Sequence, residues 1–200
     1  MKHRALSELG ISPEIARKLQ IYLDLVLAWN RTINLISRGD ETNLRGRHLE
    51  DSLSLLQYLP TGFQRAIDLG SGAGFPGIPL ALATGQHFDL VEADNRKAAF
   101  LREAARLTGA SVTVHVTRIE RVSLARADLI TARALAPLEQ LMSWSEPLLA
   151  AHGQCVFPKG KLVHEELTRA RERWHMRLEQ FPSPLRPDVF ILRLSEISRV

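Results

Sequence analysis

AIDLGSGAGFPGIPLAL, from Ala66 to Leu82, joins a short apolar run to a glycine-rich segment and then to a second apolar run. Gly70, Gly72 and Gly74 alternate with other residues, and Asp68 lies two positions before the first of them. Glycine has no Cβ, so such a segment can adopt positive φ and let a ligand lie against the backbone. A simple turn does not need three alternating glycines. The stretch therefore predicts a strand, a ligand-binding loop and a helix.

The loop fits two kinds of nucleotide-binding fingerprint. Gly72–Gly77 matches G-x-G-x-x-G, the dinucleotide pattern, in which the glycines bring a pyrophosphate onto a helix N-terminus. With Asp68 included, the pattern becomes D-x-G-x-G-x-G, which is similar to the first motif of S-adenosylmethionine-dependent methyltransferases. A carboxylate repels a pyrophosphate and attracts a sulfonium cation. Asp68 therefore favours S-adenosylmethionine over NAD, and the residues predicted to hold it here are Asp68, Gly70, Gly72 and Gly74.

An acidic residue follows about twenty positions after the loop, where nucleotide-binding folds place a ribose ligand. Glu92 ends the apolar segment FDLVE, and its carboxylate can accept two hydrogen bonds from a ribose diol. Asp94 lies at the start of the next predicted helix, where capping explains it. NAD and S-adenosylmethionine both carry a ribose, so Glu92 indicates nucleoside binding without distinguishing between them.

After Pro60-Thr61-Gly62 the chain alternates short apolar strands with helical segments. Short apolar strands separated by helices are typical of a parallel sheet covered on both faces. HMRLEQF and DVFILRLS flank a proline-rich segment that is too short for a crossover helix, so they predict an antiparallel pair at the end of the sheet. This layout resembles the Rossmann-like, seven-stranded α/β fold of class I S-adenosylmethionine-dependent methyltransferases. Residues 63–200 are predicted to form this domain.

Residues 1–62 are predicted to form an N-terminal helical extension packed on that domain. Apolar residues recur at intervals of three and four from Ser12 to Leu35, and Ser12 and Pro13 suit the start of a helix. A second helix is expected over about 42–58. His48 and Asp51 share one face of it. We expect a hydrogen bond from this helix to the sheet there, in preference to a catalytic dyad.

The composition excludes several classes of protein. The 200 residues are 45% hydrophobic and 24% charged, which suits one globular domain. The net charge of +4, with its excess near the C-terminal end, is only a mild hint of a polyanionic partner. No apolar run is long enough for a membrane span, and MKHRALSELG lacks the apolar core of a signal peptide. We therefore expect a cytoplasmic protein with no membrane partner. The single cysteine, Cys155, excludes an internal disulfide and a multi-cysteine zinc site, and no metal is predicted.

The segments around the predicted site reduce the number of possible methyl acceptors. TARALAPL follows the fourth strand, where enzymes that methylate exocyclic amines of bases carry an Asn-Pro-Pro-Tyr type motif. Enzymes that act on carbon 5 of pyrimidines need a cysteine nucleophile, commonly after proline, whereas Cys155 follows glutamine. Guanine N7 is already nucleophilic, so catalysis there consists chiefly of holding nitrogen, carbon and sulfur in line. No general base is required.

Six segments together resemble the bacterial 16S ribosomal RNA guanine-N7 methyltransferases, also called glucose-inhibited division protein B. They are WNRTINLIS, RHLEDSL, AIDLGSGAGFPGIPLAL, RIE, TARALAPL and FPKGK, and the resemblance spans nearly the whole chain from about Leu19. It implies methylation of guanosine 527 in the 530 loop of 16S RNA, with either the RNA or the small-subunit particle as the partner. It also implies that Gly70 and Phe75 contact the cofactor and that Ile119 and Glu120 flank its adenine. Many relatives carry aspartate at the position of Glu92.

Two cations are predicted to orient the target base. Arg133 follows the fourth strand, at the edge where parallel α/β sheets bind ligands, and the resemblance implies that it reaches the cofactor or the base. An arginine plane can stack on a base or hold a phosphate. Lys159, in FPKGK after the fifth strand, has a similar position. The alternatives are a surface salt bridge for Arg133 and a solvated side chain for Lys159.

Two other functions stay open at this stage. An NAD-dependent oxidoreductase would use the same glycine loop, although Asp68 and the lack of a proton donor speak against it. A non-catalytic RNA-binding module on the same fold would have no reason to prefer S-adenosylmethionine over its demethylated product. The expected oligomeric state is a monomer.

Overall fold

The computed structural model describes residues 6–200. Its centre is a seven-stranded sheet in the order β3-β2-β1-β4-β5-β7-β6. The strands are β1 Arg65–Leu69, β2 His87–Glu92, β3 Val112–Val116, β4 Ala127–Ala132, β5 Leu149–Lys159, β6 Trp174–Pro182 and β7 Phe190–Arg199. Strands β1 to β5 pair in parallel, and β7 runs antiparallel between β5 and β6. The predicted sheet and its antiparallel end are confirmed.

Helices cover both faces of the sheet, as a parallel sheet with apolar strands requires. They are α1 Pro13–Asn30, α2 Asp51–Leu53, α3 Gly77–Thr84, α4 Asn95–Thr108, α5 Leu138–Ser145 and α6 Val163–Arg171. The buried side chains form two clusters. One contains residues of α1, α3 and α4, and the other contains residues of α5 and α6. In the strand order β3-β2-β1-β4, the direction of the crossover connections reverses between β1 and β4. Such sheets bind ligands at this point, beyond the carboxyl ends of their strands.

Helix α1 begins as predicted and ends earlier than predicted. The Oγ of Ser12 accepts a hydrogen bond from the amide of Ile15 at 3.3 Å. The helix stops at Asn30, because the Oδ1 of this residue accepts from the amides of Leu35 and Ile36 at 2.9 and 3.0 Å and turns the chain. The apolar stripe of α1 therefore continues into a loop that still packs on the core.

The second helical segment is irregular. A 3-10 helix, Arg38–Asn43, precedes a π-helical stretch, Arg45–Glu50, which leads into α2 and a further 3-10 turn, Ser54–Tyr58. The side chains of Leu49 and Leu53 are buried in the same cluster as α1 and α3. The chain is thus helical over most of the predicted range, but it changes helix type within it. Residues 1–5 of the predicted extension, and half of the segment MKHRALSELG, lie outside the described residues. Within residues 6–200, no helix combines the length and apolar character that crossing a bilayer requires.

Candidate active site

The glycine loop between β1 and α3 has the predicted backbone. Gly70, Gly72 and Gly74 have φ values of 63°, 57° and 91°. A Cβ at Gly74 would lie 2.8 Å from the side chain of Ile78, and one at Gly70 would lie 2.5 Å from that of Leu135. A Cβ at Gly72 would meet only a backbone oxygen, at 3.8 Å. The loop is therefore packed against the protein at two glycines and open at the third, where a ligand can approach the backbone.

Glu92 supports this loop at the end of β2. One carboxylate oxygen accepts from the amide of Gly72 and the other from the amide of Asp94, both at 2.8 Å. Each carboxylate oxygen has a second lone pair, so both can still accept from a ribose hydroxyl. Asp94 caps α4 by accepting from the amides of Arg96 and Lys97, as its position in the sequence indicates.

Asp68 lies beneath the loop and is 1% exposed. Its Oδ1 accepts from the hydroxyl of Thr131 at 2.7 Å, whereas its Oδ2 is buried beside the backbone of Gly77, where no hydrogen bond of good geometry reaches it from residues 6–200. Burial raises the pKa of Asp68 to about 6, although the Thr131 hydrogen bond acts to lower it. A buried carboxylate with an unused oxygen gains free energy from a nearby cation or donor. Asp68 therefore fits a positively charged ligand at the loop.

The remaining predicted cofactor residues lie at the same edge of the sheet. Ile119 and Glu120 form a 3-10 turn, Ile119–Arg121, after β3, and Ile119 is half-buried while Glu120 is exposed. Phe75 is buried at the end of the glycine loop, where its ring packs against that of Tyr22 with centroids 5.1 Å apart. S-adenosylmethionine fits this set of groups: the open backbone at Gly72, the buried carboxylate of Asp68 and the acceptor oxygens of Glu92.

Arg133 is held between the loop and the N-terminal helices. Its guanidinium lies 5.3 Å from the centre of the Phe75 ring, and it donates to the carbonyl of Arg47 at 3.1 Å and to Nδ1 of His48 at 2.6 Å. The next residue, Ala134, has φ of 51°, which is uncommon for a residue with a Cβ. The expected hydrogen bond from the second helical segment to the sheet is thus made by His48.

The contact with Arg133 also affects the protonation state of His48. Burial and then the neighbouring charge of Arg133 lower the pKa of His48, which is about 4 even though Asp40 acts in the opposite direction. The imidazole is therefore neutral near pH 7, which allows Nδ1 to accept from Arg133. His48 positions Arg133 without adding charge to the site.

A cleft of about 360 Å³ opens beside Arg133. Its walls come from the second helical segment, the ends of β4 and β5, helix α6 and the connection between β6 and β7. Three of its cations are paired with carboxylates that also line it: Arg47 with Asp40 at 3.1 Å, Lys159 with Glu166 at 2.6 Å and Arg186 with Asp51 at 3.6 Å. Arg133 contacts a carbonyl, a neutral imidazole and the Phe75 ring. Among the described residues of the cleft, it is the cation that no carboxylate contacts.

Lys159 is less available than its position in the sequence indicates. Besides the ion pair with Glu166, its ammonium donates to the carbonyl of Ala136 at 2.9 Å, and the side chain is 10% exposed. It is therefore not a solvated lysine. Two of its three N–H groups are used, which leaves one for a ligand in the cleft. Its role in orienting the base stays a prediction.

Tyr22 is a residue of this site that sequence reasoning placed only in the apolar stripe of α1. Its buried hydroxyl donates to the carbonyl of Ala73 at 2.5 Å, at the centre of the glycine loop. Because the hydroxyl of a buried tyrosine needs a hydrogen-bond partner, the sequence indicates that Tyr22 has one, but it does not identify that partner.

Tyr22→Phe is expected to lower the free energy of unfolding by about 1–3 kcal/mol, because it leaves the buried Ala73 carbonyl without its donor. Urea denaturation measures the change. The matched control is Tyr58→Phe, whose hydroxyl makes a 3.4 Å contact with the Pro182 carbonyl at an exposed position. This control is expected to change stability by less than about 0.5 kcal/mol. Equal changes in the two variants would contradict a bracing role for Tyr22.

The affinity for S-adenosylmethionine is expected to rise about tenfold between about pH 5 and pH 7 and then to level off. The pKa of Asp68 in the folded protein is about 6, above its ordinary value of 3.8, and a sulfonium favours the ionised form. Because burial raises the pKa of Asp68 above its ordinary value, the contribution of Asp68 to the stability of the folded protein falls as the pH rises from about 4 through about 6. Calorimetric titration at several pH values measures the affinity. In Asp68→Asn the dependence should disappear, and a flat profile in the wild type would contradict this role of Asp68.

Comparison with known proteins identifies the family of this chain. The family model for rRNA small subunit methyltransferase G matches residues 15–184. A protein named ribosomal RNA small subunit methyltransferase G from Granulibacter bethesdensis is 51% identical over 191 residues, which cover 96% of this chain and 90% of that protein. A protein of the same name from Gluconobacter oxydans is 48% identical over 190 residues, which cover 95% and 98%.

Solved structures agree with the predicted architecture. The crystal structure of M. jannaschii TYW2 in complex with AdoMet has a TM-score of 0.60 at 15% identity, and the match covers 85% of this chain and 80% of that one. The crystal structure of ribosomal protein L11 methylase from Lactobacillus delbrueckii subsp. bulgaricus has a TM-score of 0.57 at 19% identity, and the match covers 74% of this chain and 76% of that one. The class I methyltransferase fold is therefore confirmed. With a family model that matches most of its length and relatives near 50% identity, the chain belongs to the rRNA small subunit methyltransferase G family.

Proposed function

We propose that this protein transfers the methyl group of S-adenosylmethionine to N7 of guanosine 527, in the 530 loop of 16S ribosomal RNA. The observation that carries the proposal is the glycine loop, which is open at Gly72, follows the buried carboxylate of Asp68 and adjoins, through Phe75, the cleft that contains Arg133. Membership of the family supports the assignment to small-subunit RNA. The base and the nucleotide number come from the resemblance in sequence.

Most residues at the loop hold the cofactor, and Asp68 also favours S-adenosylmethionine over NAD. Gly72 lets the cofactor lie against the backbone, Gly70 and Gly74 allow the loop to pack closely on the protein, and Glu92 accepts from the ribose. Ile119 and Glu120 flank the adenine. When bound, S-adenosylmethionine supplies an electrophilic methyl group on a sulfonium. The buried carboxylate of Asp68 favours that cation over a pyrophosphate, which speaks against an NAD-dependent oxidoreductase.

Transfer to N7 requires orientation and no general base. The bond to nitrogen forms from the ring lone pair while the sulfur–carbon bond breaks, and the positive charge passes from sulfur to the purine. No proton has to leave. Arg133 is the cation free to hold a phosphate or the base, and His48 and Phe75 fix its guanidinium. Lys159 offers its remaining N–H to the same cleft. Rigid placement of this kind is an efficient source of rate enhancement.

The helices before β1 are part of this function, because His48, Asp51 and Arg47 form one wall of the cleft. We propose that residues 1–62 act as an extension that completes the site of the 63–200 domain. The protein is proposed to act as a monomer in the cytoplasm, on 16S RNA or on the small-subunit particle.

A methyl-transfer assay tests the proposal. The purified protein is incubated with labelled S-adenosylmethionine and with either 16S RNA or small-subunit particles, and nuclease digests are analysed by mass spectrometry. We expect one N7-methylguanosine at position 527. A protein that binds the cofactor and labels neither substrate, or labels another base, would contradict the assignment of the acceptor. Equal affinity for the cofactor and its demethylated product, together with no labelling, would favour a non-catalytic module.

A further inference from the structure

We infer that Asp51 selects the target base by accepting two hydrogen bonds from the Watson–Crick edge of guanine. The inference rests on the proposed function, because it assigns the recognition of the base in the cleft beside Arg133. It concerns a residue of the second helical segment that is not among the predicted cofactor residues.

Asp51 lies in the wall of the cleft with little of its hydrogen-bonding capacity used. Its side chain is 16% exposed, and its ion-pair contact is with Nη1 of Arg186 at 3.6 Å. That separation is longer than a hydrogen bond, and within residues 6–200 no short hydrogen bond reaches this carboxylate. Burial raises the pKa of Asp51, and the guanidinium of Arg186 opposes this effect. The carboxylate is thus partly desolvated, and N–H donors from a ligand would compensate for the lost water.

The other two carboxylates of the cleft are already occupied. Asp40 accepts from the hydroxyl of Ser37 at 2.7 Å and pairs with Arg47. Glu166 accepts from the amide of Leu138 at 2.7 Å and pairs with Lys159 at 2.6 Å. Asp51 is therefore the carboxylate of this cleft with the most capacity for a ligand.

Guanine is the RNA base whose edge matches an ionised carboxylate. Its N1–H and its 2-amino group are adjacent donors, whereas a carboxylate offers two adjacent acceptors. Adenine and cytosine each present a ring-nitrogen acceptor beside one amino donor, and uracil flanks its single N–H with two carbonyl oxygens. Enzymes that act on a single nucleotide commonly read the Watson–Crick edge of the extruded base in this way. Asp51 consequently favours guanine over the other three bases.

The placement of the groups agrees with transfer to N7. N7 lies on the Hoogsteen edge of the purine, which is adjacent to the Watson–Crick edge and shares O6 with it, so donors bound by Asp51 leave N7 accessible. Arg133, which follows β4, contacts Phe75 of the glycine loop. The side of the cleft that contains Arg133 is therefore the side nearest the cofactor. Asp51 and Arg186 come from the second helical segment and from the β6–β7 connection. A guanine held by Asp51 can thus direct N7 toward the loop.

The test compares two substrates that differ by one amino group. Small-subunit RNA is prepared by ligation with guanosine or inosine at position 527, since inosine keeps N7, O6 and N1–H and lacks the 2-amino group. We expect the wild type to methylate guanosine with a kcat/KM about 10- to 100-fold above that for inosine, the range expected for one hydrogen bond to a charged group. In Asp51→Asn, kcat/KM on guanosine should fall by a similar factor, and the preference over inosine should disappear.

The matched control is Asp188→Asn. Asp188 is the other carboxylate paired with Arg186, at 3.6 Å, and it does not line the cleft. If Asp51 serves only to hold Arg186, both variants should behave alike. We expect Asp188→Asn to keep the preference for guanosine. Affinity for S-adenosylmethionine is measured in each variant to verify folding, and Asp51→Glu, which moves the carboxylate by one methylene, should keep part of the preference.

The outcomes separate this inference from the proposed function. A wild type that methylates guanosine and inosine equally well overturns the role of Asp51 and leaves the methyltransferase intact. An undiminished preference in Asp51→Asn does the same. A wild type that methylates neither RNA overturns the proposed function and, with it, the inference.

Discussion

Arg133→Ala is expected to lower kcat/KM for methylation of small-subunit RNA by about 100- to 1,000-fold, the usual effect of removing one preorganised charged donor from an active site. Arg133 is the cleft cation that no carboxylate contacts in the described structure, and three groups fix its guanidinium: Phe75, His48 and the Arg47 carbonyl. Its charge is therefore available to a ligand. A radiolabel-transfer assay under single-turnover conditions measures the loss.

The stability of the same variant shows whether Arg133 acts in function or only in packing. Loss of two hydrogen bonds and a contact with an aromatic ring is expected to cost about 2–3 kcal/mol of unfolding free energy. Arg133→Lys keeps a charge but cannot reproduce the planar fork, so activity should recover only in part. Arg173→Ala, which removes an exposed pair with Glu139, is the surface control. If activity fell only as far as the folded fraction did, Arg133 would have a structural role.

Gly72→Ala is expected to weaken binding of S-adenosylmethionine by about 10- to 100-fold while leaving the fold intact. In the ligand-free protein an alanine Cβ at Gly72 has room, because the nearest atom would be 3.8 Å away. The φ of 57° costs about 1–2 kcal/mol for a residue with a Cβ. The larger effect should come from the methyl group occupying the place of the cofactor. Calorimetric titration gives the affinity, and thermal unfolding gives the stability.

Gly85→Ala is the matched control for this prediction. Gly85 follows α3 with φ of 71°, and a Cβ there would meet no atom within 4 Å, so it has room as it does at Gly72. The two variants should therefore lose similar stability, and only Gly72→Ala should lose affinity. Equal affinities in the two variants would show that the cofactor does not lie against Gly72.

The backbone of the site could be predicted from the sequence because it depends on local rules. Three alternating glycines after an apolar strand predict positive φ and a loop open to a ligand, and the structure has both. Asp94 as a helix cap follows from its position before α4. The antiparallel end of the sheet follows from the short proline-rich connection. Each of these features involves residues that are close in the chain.

The side-chain partners in the site could not be predicted, because they join residues far apart in the chain. Arg133 meets His48 across 85 positions, and Tyr22 meets Ala73 across 51. The pairing of Lys159 with Glu166 depends on how α6 packs beside β5, which no short motif encodes. The π-helical turn over Arg45–Glu50 also depends on tertiary packing. The sequence consequently identifies two cations of the cleft, Arg133 and Lys159, but not that Lys159 is paired with a carboxylate and Arg133 is not.

The crystal structure of the protein bound to S-adenosylhomocysteine, the demethylated product, tests the central claim most directly. We predict that the product lies against the loop from Gly70 to Gly74, with its ribose hydroxyls on Glu92 and its sulfur on the side of the loop that faces Arg133. A product bound away from this loop, or bound there with its ribose far from Glu92, would contradict the account.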